Sequence, residues 1–181
     1  MAHEEPYDAV ILAGGAARRF GGGDKPGALV GGVPLIARVA AAVADAGKVI
    51  VVGPRRHDLE AVFVREDPPG AGPVPALRAG LALVEAPRLV LLAADLPFLT
   101  AEVVARLLRH RNAVLIDGGD RDQWLTGAWR TDALRAALEA YEGSSLRGVL
   151  GPLAPVRVPG GDDWTDCDTP EDLARAEERL K

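Results

Sequence analysis

The stretch VILAGGAARRFGGGDKP, residues 10–26, carries the strongest evidence in this sequence about the fold. A short apolar run ends in two glycines, and two arginines, three further glycines and a lysine follow it. Backbone without Cβ atoms can approach a ligand closely, and its N–H groups can point at phosphate oxygens. Cations so near in sequence suit a polyphosphate. The stretch therefore predicts a nucleotide-binding loop at the end of a first β-strand.

Short apolar runs alternate with segments of helical periodicity along the rest of the chain. We predict strands at 9–13, 48–53, 61–65, 88–94 and 113–116, further extended segments at 124–129 and 156–158, and helices that begin near Pro34, Ala76, Thr100, Asp132 and Pro170. The strands are continuously apolar, as in sheets that are covered on both faces. The pattern predicts the α/β class, with a three-layer α-β-α, Rossmann-like arrangement around a doubly wound, mostly parallel sheet. We expect one domain over residues 1–181, with a flexible tail at 1–6.

The charge and composition of the chain exclude several classes of protein. The formal net charge of −5 leaves no basic excess with which to neutralise many phosphates, so we expect no nucleic-acid partner. No apolar run approaches the ~20 residues of a membrane span, and the acidic N-terminus lacks the apolar core of a secretory signal. The lone cysteine, Cys167, excludes an internal disulfide and a CxxC zinc site. We therefore expect a cytoplasmic protein without a membrane partner.

Two common nucleotide-binding motifs are absent from the glycine-rich loop. The sequence Gly14-Gly15-Ala16-Ala17-Arg18 breaks the dinucleotide fingerprint G-x-G-x-x-G. A P-loop ends in Gly-Lys-Ser/Thr, whereas Lys25 here stands between Asp24 and Pro26. The loop therefore disfavours a dehydrogenase and an ordinary NTPase.

The loop resembles the signature of the nucleotidyltransferases related to molybdenum cofactor guanylyltransferase (the MobA-like family). That signature begins L-A-G-G and continues with an arginine, a glycine and a lysine; here it stands as Leu12–Gly15, Arg19, Gly21 and Lys25. Its residues occur in the expected context, a strand that runs into a loop. The resemblance implies the fold of nucleotide-diphospho-sugar transferases.

Four later segments resemble further elements of the same family, in the same order. DPPGAGP at 67–73 resembles a loop in which an aspartate precedes G-P-L-A-G, although VPA replaces L-A-G here. LLAADLPF at 91–98 resembles a strand that closes with C-D-x-P, with Ala94 where cysteine is common. QWLTG at 123–127 resembles a Q-P-L segment, and WTDCDTPEDL at 164–173 resembles N-x-N-T-P-E-E-L with aspartates for both asparagines. The resemblance extends over roughly residues 7 to 180.

Asp95 is the strongest candidate for a metal ligand. It ends the most apolar predicted strand, and a carboxylate there can hold Mg²⁺, which completes its coordination with phosphate oxygens and water. From the residues alone, Asp95 can also be a simple turn aspartate before Leu-Pro. The family resemblance favours the magnesium role and implies a second ligand, Asp168, with Asp166 as the alternative.

The resemblance also implies which residues bind the nucleotide. Lys25 would contact the phosphates and offset charge as pyrophosphate leaves, and Arg19 would lie against the β- and γ-phosphates. Asp67 matches an aspartate that accepts hydrogen bonds from N1–H and the amino group of guanine. The implied catalytic residues are Lys25, Asp95 and Arg19, and the implied nucleotide-binding residues are Leu12, Ala13, Gly14, Gly15, Arg19, Lys25, Asp67 and Asp95.

The function that this resemblance implies is a magnesium-dependent transfer of GMP from GTP to a phosphorylated acceptor, with release of pyrophosphate. The sequence L-A-G-G favours GTP, because cytidylyl relatives tend to have L-A-A-G, and the implied acceptor is molybdopterin. Two alternatives stay open: an enzyme of the same fold with CTP or another acceptor, such as a sugar phosphate, and a non-catalytic nucleotide-binding protein. The sequence makes no prediction of the oligomeric state.

Overall fold

A seven-stranded sheet forms the centre of the molecule. The computed structural model describes residues 5–14, 24–161, 164 and 169–181. The strands of these residues are β1 (Tyr7–Leu12), β2 (Leu29–Val30), β3 (Val33–Pro34), β4 (Val49–Val52), β5 (Val62–Val64), β6 (Arg88–Ala93), β7 (Ala113–Ile116), β8 (Asp122–Arg130) and β9 (Val156–Pro159). The helices are α1 (Leu35–Ala42), α2 (Pro73–Leu81), α3 (Ala101–Leu108), α4 (Thr131–Ala140), α5 (Leu146–Leu150) and α6 (Pro170–Arg179). The helix α5 continues into a short 3-10 turn at Gly151–Leu153.

The order of strands in the large sheet is β5-β4-β1-β6-β8-β7-β9. The strands β4 and β6 lie parallel to β1 on its two sides, β5 is parallel to β4, and β9 is parallel to β7. The strand β8 is antiparallel to both of its neighbours, β6 and β7. The sheet is therefore mostly parallel, which confirms the predicted fold class.

Apolar side chains of the sheet form two cores, one on each face. Alternate residues of β1 point to opposite faces, so that Ile11 joins one core and Val10 the other. The first core packs against α1 and α3, and the second against α2, α4 and α5. These helices and the sheet form the three predicted layers.

Three elements differ from the sequence prediction. A small hairpin, β2 and β3, turns at Gly31 and Gly32, whose φ angles of 59° and 76° suit glycine. The helix α2 begins at Pro73, because proline lacks the N–H that a first helical position leaves unused. The short helix α5 was not predicted; the Ser145 side chain caps it by accepting from Gly148 N–H.

The buried carboxylate of Asp8 joins three segments at the amino end of β1. Its side chain accepts hydrogen bonds from the backbone N–H groups of Lys48, Glu85 and Ala86 at 2.9, 2.9 and 3.0 Å. These donors lie just before β4 and β6, the two strands that flank β1. Asp8 therefore ties together the starts of the three central strands.

No helix among the described residues is long and apolar enough to cross a membrane. The longest helices in that part of the chain, α4 and α6, have 10 residues each.

Candidate active site

The carboxyl ends of β1 and β6 place two parts of the predicted site side by side. The two strands are parallel neighbours, and Leu12 pairs with Ala93 in the register. Gly14 is the second residue after β1, and Asp95 is the second residue after β6. In open α/β sheets, ligands bind at this edge of the strands.

A cavity of about 370 Å³ opens at this edge. Its walls come from the end of β1, from the segment with Lys25 and Pro26, from the start of α2 and from residues 93–95. The predicted residues Leu12, Ala13, Gly14, Lys25 and Asp95 all line it. The fold thus brings five of the sequence-predicted site residues to one cavity.

Lys25 and Asp95 form an ion pair inside this cavity. The Lys25 Nζ lies 2.6 Å from Asp95 Oδ2, and the two side chains are 21% and 17% exposed. The positive Lys25 suits the binding of a triphosphate, and the negative Asp95 suits the binding of a divalent cation. The pair therefore suits the binding of an anion and a cation together.

A second cavity, of about 570 Å³, adjoins the first. Pro73, Ala93, Asp95 and Leu125 line both cavities, so the Asp95 carboxylate lies at their border. The rest of the second cavity is formed by Leu96, by residues 123–126 of β8 and by residues 144–147 at the start of α5. Arg147 supplies a guanidinium, which suits an anionic group.

Residues 144–147 of the second cavity were not predicted from the sequence. Ser145 gave one usable signal, because a serine before an apolar run is typical of a helix cap. That signal predicts a helix start but not its position beside Asp95, since the position depends on long-range packing.

Arg56 fixes the segment that contains Lys25. Its guanidinium donates two hydrogen bonds to the Asp24 carboxylate, one of them, from Nη1 to Oδ2, at 3.0 Å. Gly27 completes the arrangement, because an added Cβ there would overlap the Asp24 carboxylate. The Asp24 carboxylate therefore anchors the segment 24–27, which contains Lys25, to Arg56.

Removal of the Arg56 guanidinium is expected to weaken nucleotide binding without changing the chemical step. For Arg56→Gln we expect KM for the nucleotide to rise about three- to fivefold, in the range of an exposed ion pair, while kcat stays within about twofold. Steady-state kinetics measure both constants, and Arg55→Gln, a change of the exposed neighbour, is the control. A fall in kcat with unchanged KM would contradict a positioning role.

Hydrogen bonds from Arg56 lower the pKa of the Asp24 carboxyl below its usual range. The carboxyl stays ionised, and the pair intact, at every pH above that lowered value. The positioning by Arg56 is therefore lost only as the pH falls through the pKa of folded Asp24, well below neutral.

The structure places Asp67 on the exposed surface of the 67–72 loop. Gly70 and Gly72 of the same loop line the first cavity, whereas Asp67 is not among the residues that line it. Its predicted contact with a base stays a prediction. The other predicted residues, Gly15, Arg19, Asp166 and Asp168, lie outside the described residues.

Comparisons with known proteins show the family and the fold of this chain. Residues 9–157 match the family described as the MobA-like NTP transferase domain. The molybdenum cofactor guanylyltransferase of Rhodobacter capsulatus is 38% identical over 183 residues, which cover 95% of each chain. The solved structure of molybdopterin-guanine dinucleotide biosynthesis protein A from Archaeoglobus fulgidus superimposes with a TM-score of 0.65 at 23% identity, covering 96% of this chain and 98% of the other.

A cytidylyltransferase structure has the same fold. The 2-C-methyl-D-erythritol 4-phosphate cytidylyltransferase of Thermus thermophilus gives a TM-score of 0.70 at 22% identity and covers 94% of this chain and 97% of its own. At such identities, likeness to solved structures shows the fold alone.

Proposed function

The chain belongs to the MobA-like NTP transferase domain family, and from this premise we propose that it transfers GMP from GTP to molybdopterin, with release of pyrophosphate. As an enzyme it is a nucleotidyltransferase similar to molybdenum cofactor guanylyltransferases. The resemblance predicted from the sequence is thereby confirmed. The donor, the acceptor and the requirement for magnesium are the parts that we propose.

One observation supports the proposal most directly: Asp95, which forms an ion pair with Lys25 of the first cavity, lies where the two cavities meet. In the proposal the first cavity binds the nucleotide and the second binds the acceptor, so that the α-phosphate lies near Asp95. A phosphate oxygen of the acceptor attacks the α-phosphorus; a new phosphorus–oxygen bond forms there, and the bond to the β-phosphate oxygen breaks. The acceptor phosphate is already ionised, so the reaction depends on positioning and charge neutralisation and needs no general base.

Of the residues at the border, Asp95 is the one that fits a magnesium ion. Mg²⁺ takes one or two carboxylates and completes its octahedron with phosphate oxygens and water, and Asp95 supplies one such carboxylate beside the cavity. When bound, the ion would polarise the phosphate oxygens. Lys25, released from Asp95, would donate to the phosphates and neutralise charge on the departing pyrophosphate.

We expect the protein to bind GTP at least about tenfold more tightly than CTP when Mg²⁺ is present, a difference of about 1.4 kcal/mol. The physical reason is that guanine presents two adjacent N–H donors, which the Asp67 carboxylate would accept in the role that the family resemblance implies, and cytosine does not. Titration calorimetry measures both affinities, and chelation of Mg²⁺ is the control that should weaken GTP binding. Equal or reversed affinities would contradict the guanylyl assignment.

A pyrophosphate-release assay tests the whole reaction. GTP and CTP are each supplied with a panel of phosphorylated acceptors, which includes molybdopterin and sugar phosphates. The proposal expects release that depends on GTP and molybdopterin together. Release with another donor and acceptor would show that the protein is a different transferase of the same fold. No release with any donor and acceptor would favour a protein that only binds nucleotides.

A further inference from the structure

Tyr141 directly follows α4, and its side chain contacts the residue that caps α5. Its hydroxyl accepts a hydrogen bond from Ser145 N–H at 3.2 Å and lies 3.2 Å from Ser145 Oγ. Ser145 Oγ in turn accepts from Gly148 N–H at 3.0 Å, which caps α5. One phenol oxygen therefore holds both the backbone and the side chain of the residue from which α5 starts.

Two glycines leave room for this phenol. A Cβ added to Gly143 or to Gly148 would overlap the Tyr141 hydroxyl. Neither glycine has a φ angle in the left-handed region, so the backbone conformation alone does not require glycine at these positions. The position of the phenol therefore explains why both residues lack a side chain.

A further contact joins Tyr141 to α2. The Arg78 side chain of that helix donates a hydrogen bond from Nη2 to the Tyr141 carbonyl oxygen at 2.7 Å. The helix α2 begins at Pro73, which lines both cavities, and residues 144–147 line the second one. Tyr141 therefore connects the helix that starts at the border of the cavities to a wall of the second cavity.

We propose that Tyr141 is a positioning residue for the acceptor, because its hydroxyl holds residues 144–147 in the conformation that forms the wall of the second cavity. The inference rests on the proposed function, in which the second cavity binds the acceptor. Tyr141 itself lines neither cavity, so it acts through Ser145 and the segment that ends at Arg147.

The acceptor is the substrate whose binding depends on this hydroxyl. Residues 144–147 are on the surface apart from Leu146, so without the phenol oxygen the turn between α4 and α5 has more conformations available. Binding of the acceptor would then have to order the turn again, and affinity is lost. None of these four residues lines the first cavity, so binding of the nucleotide does not carry this cost.

Tyr141→Phe tests the proposal, because it removes the hydroxyl and retains the ring. We expect KM for the acceptor to rise about three- to tenfold, the effect of one hydrogen bond, while KM for GTP and kcat stay within about twofold. Pyrophosphate release with the full chain measures all three constants, with whichever phosphorylated acceptor the wild type uses. Tyr7→Phe is the matched control: it removes the other tyrosine hydroxyl of the chain, which contacts Asp45 outside both cavities, and should leave the three constants unchanged.

Gly148→Ala is a second variant that disturbs the same contact from the other side. Alanine favours a helix more than glycine does, but its methyl group would displace the Tyr141 hydroxyl. We expect it to raise KM for the acceptor as Tyr141→Phe does. Because both changes break one contact, the double variant should raise this KM by less than the product of the two single effects.

The outcomes separate this inference from the proposed function. An acceptor KM that is unchanged in Tyr141→Phe, or that rises together with KM for GTP, overturns the positioning role and leaves the proposed function intact. A wild type that uses an acceptor other than molybdopterin overturns the proposed acceptor, and the KM for that other acceptor then decides the role of Tyr141. A wild type that releases no pyrophosphate with any acceptor overturns the proposed function, and the inference with it.

Discussion

Replacement of Asp95 by asparagine is expected to lower the rate of pyrophosphate release roughly a hundred- to a thousandfold, the effect of removing one charge-stabilising group from an active site. Asparagine has nearly the same size and shape, so the change removes the charge and leaves the packing. Asp95 is the one carboxylate among the described residues that line either cavity, so no neighbour there can replace it. The rate is measured at saturating GTP and molybdopterin across a range of Mg²⁺ concentrations.

Asp132→Asn is the matched control for this change. Asp132 is a largely exposed aspartate at the start of α4, on another element and outside both cavities. The Asp132→Asn variant should release pyrophosphate at the wild-type rate. The melting temperatures of both variants should lie within a few degrees of that of the wild type. If the Asp95→Asn variant releases pyrophosphate at a rate within tenfold of the wild type, Asp95 is not a ligand of the metal.

Replacement of Asp8 by alanine is expected to lower the free energy of unfolding by about 3–5 kcal/mol. Three backbone N–H groups lose their acceptor at once in a place where the aspartate is 2% exposed. Urea denaturation measures the change. Asp8→Asn retains one acceptor oxygen and should lose less than half as much, so the pair of variants separates the hydrogen bonds from the packing. A loss below about 1 kcal/mol in Asp8→Ala would mean that solvent reaches these N–H groups.

The sequence predicted the parallel strands of the fold well, for a physical reason. Strands such as β1 and β6, covered on both faces, contain apolar runs (AVIL at 9–12 and LVLLA at 89–93), and that pattern is local. The place of β8 between β6 and β7 could not be predicted, because it depends on pairing between distant segments. The sequence of the extended segment 124–129 also contains no local pattern that predicts its antiparallel direction.

The candidate site was predicted residue by residue, but not as an arrangement. Lys25 and Asp95 were each recognised from their own motif, but the sequence did not predict that Lys25 Nζ lies 2.6 Å from Asp95 Oδ2, because the two residues are 70 positions apart in the chain. Glu66 and Asp67 are adjacent and chemically alike, so sequence alone could not separate the buried one from the exposed one. The contact of Arg56 with Asp24 joins two loops, and no periodicity predicts such a contact.

The border between the two cavities has a consequence for the end of the proposed reaction. A dinucleotide product contains parts of both substrates in one covalent molecule, so it occupies both cavities at once. Its contacts in both cavities have to break before it dissociates. Two linked contacts of this kind dissociate far more slowly than either does alone. The step that limits turnover would then be the departure of the product, and a protein that accepts the product directly would accelerate the enzyme more than any increase in substrate concentration.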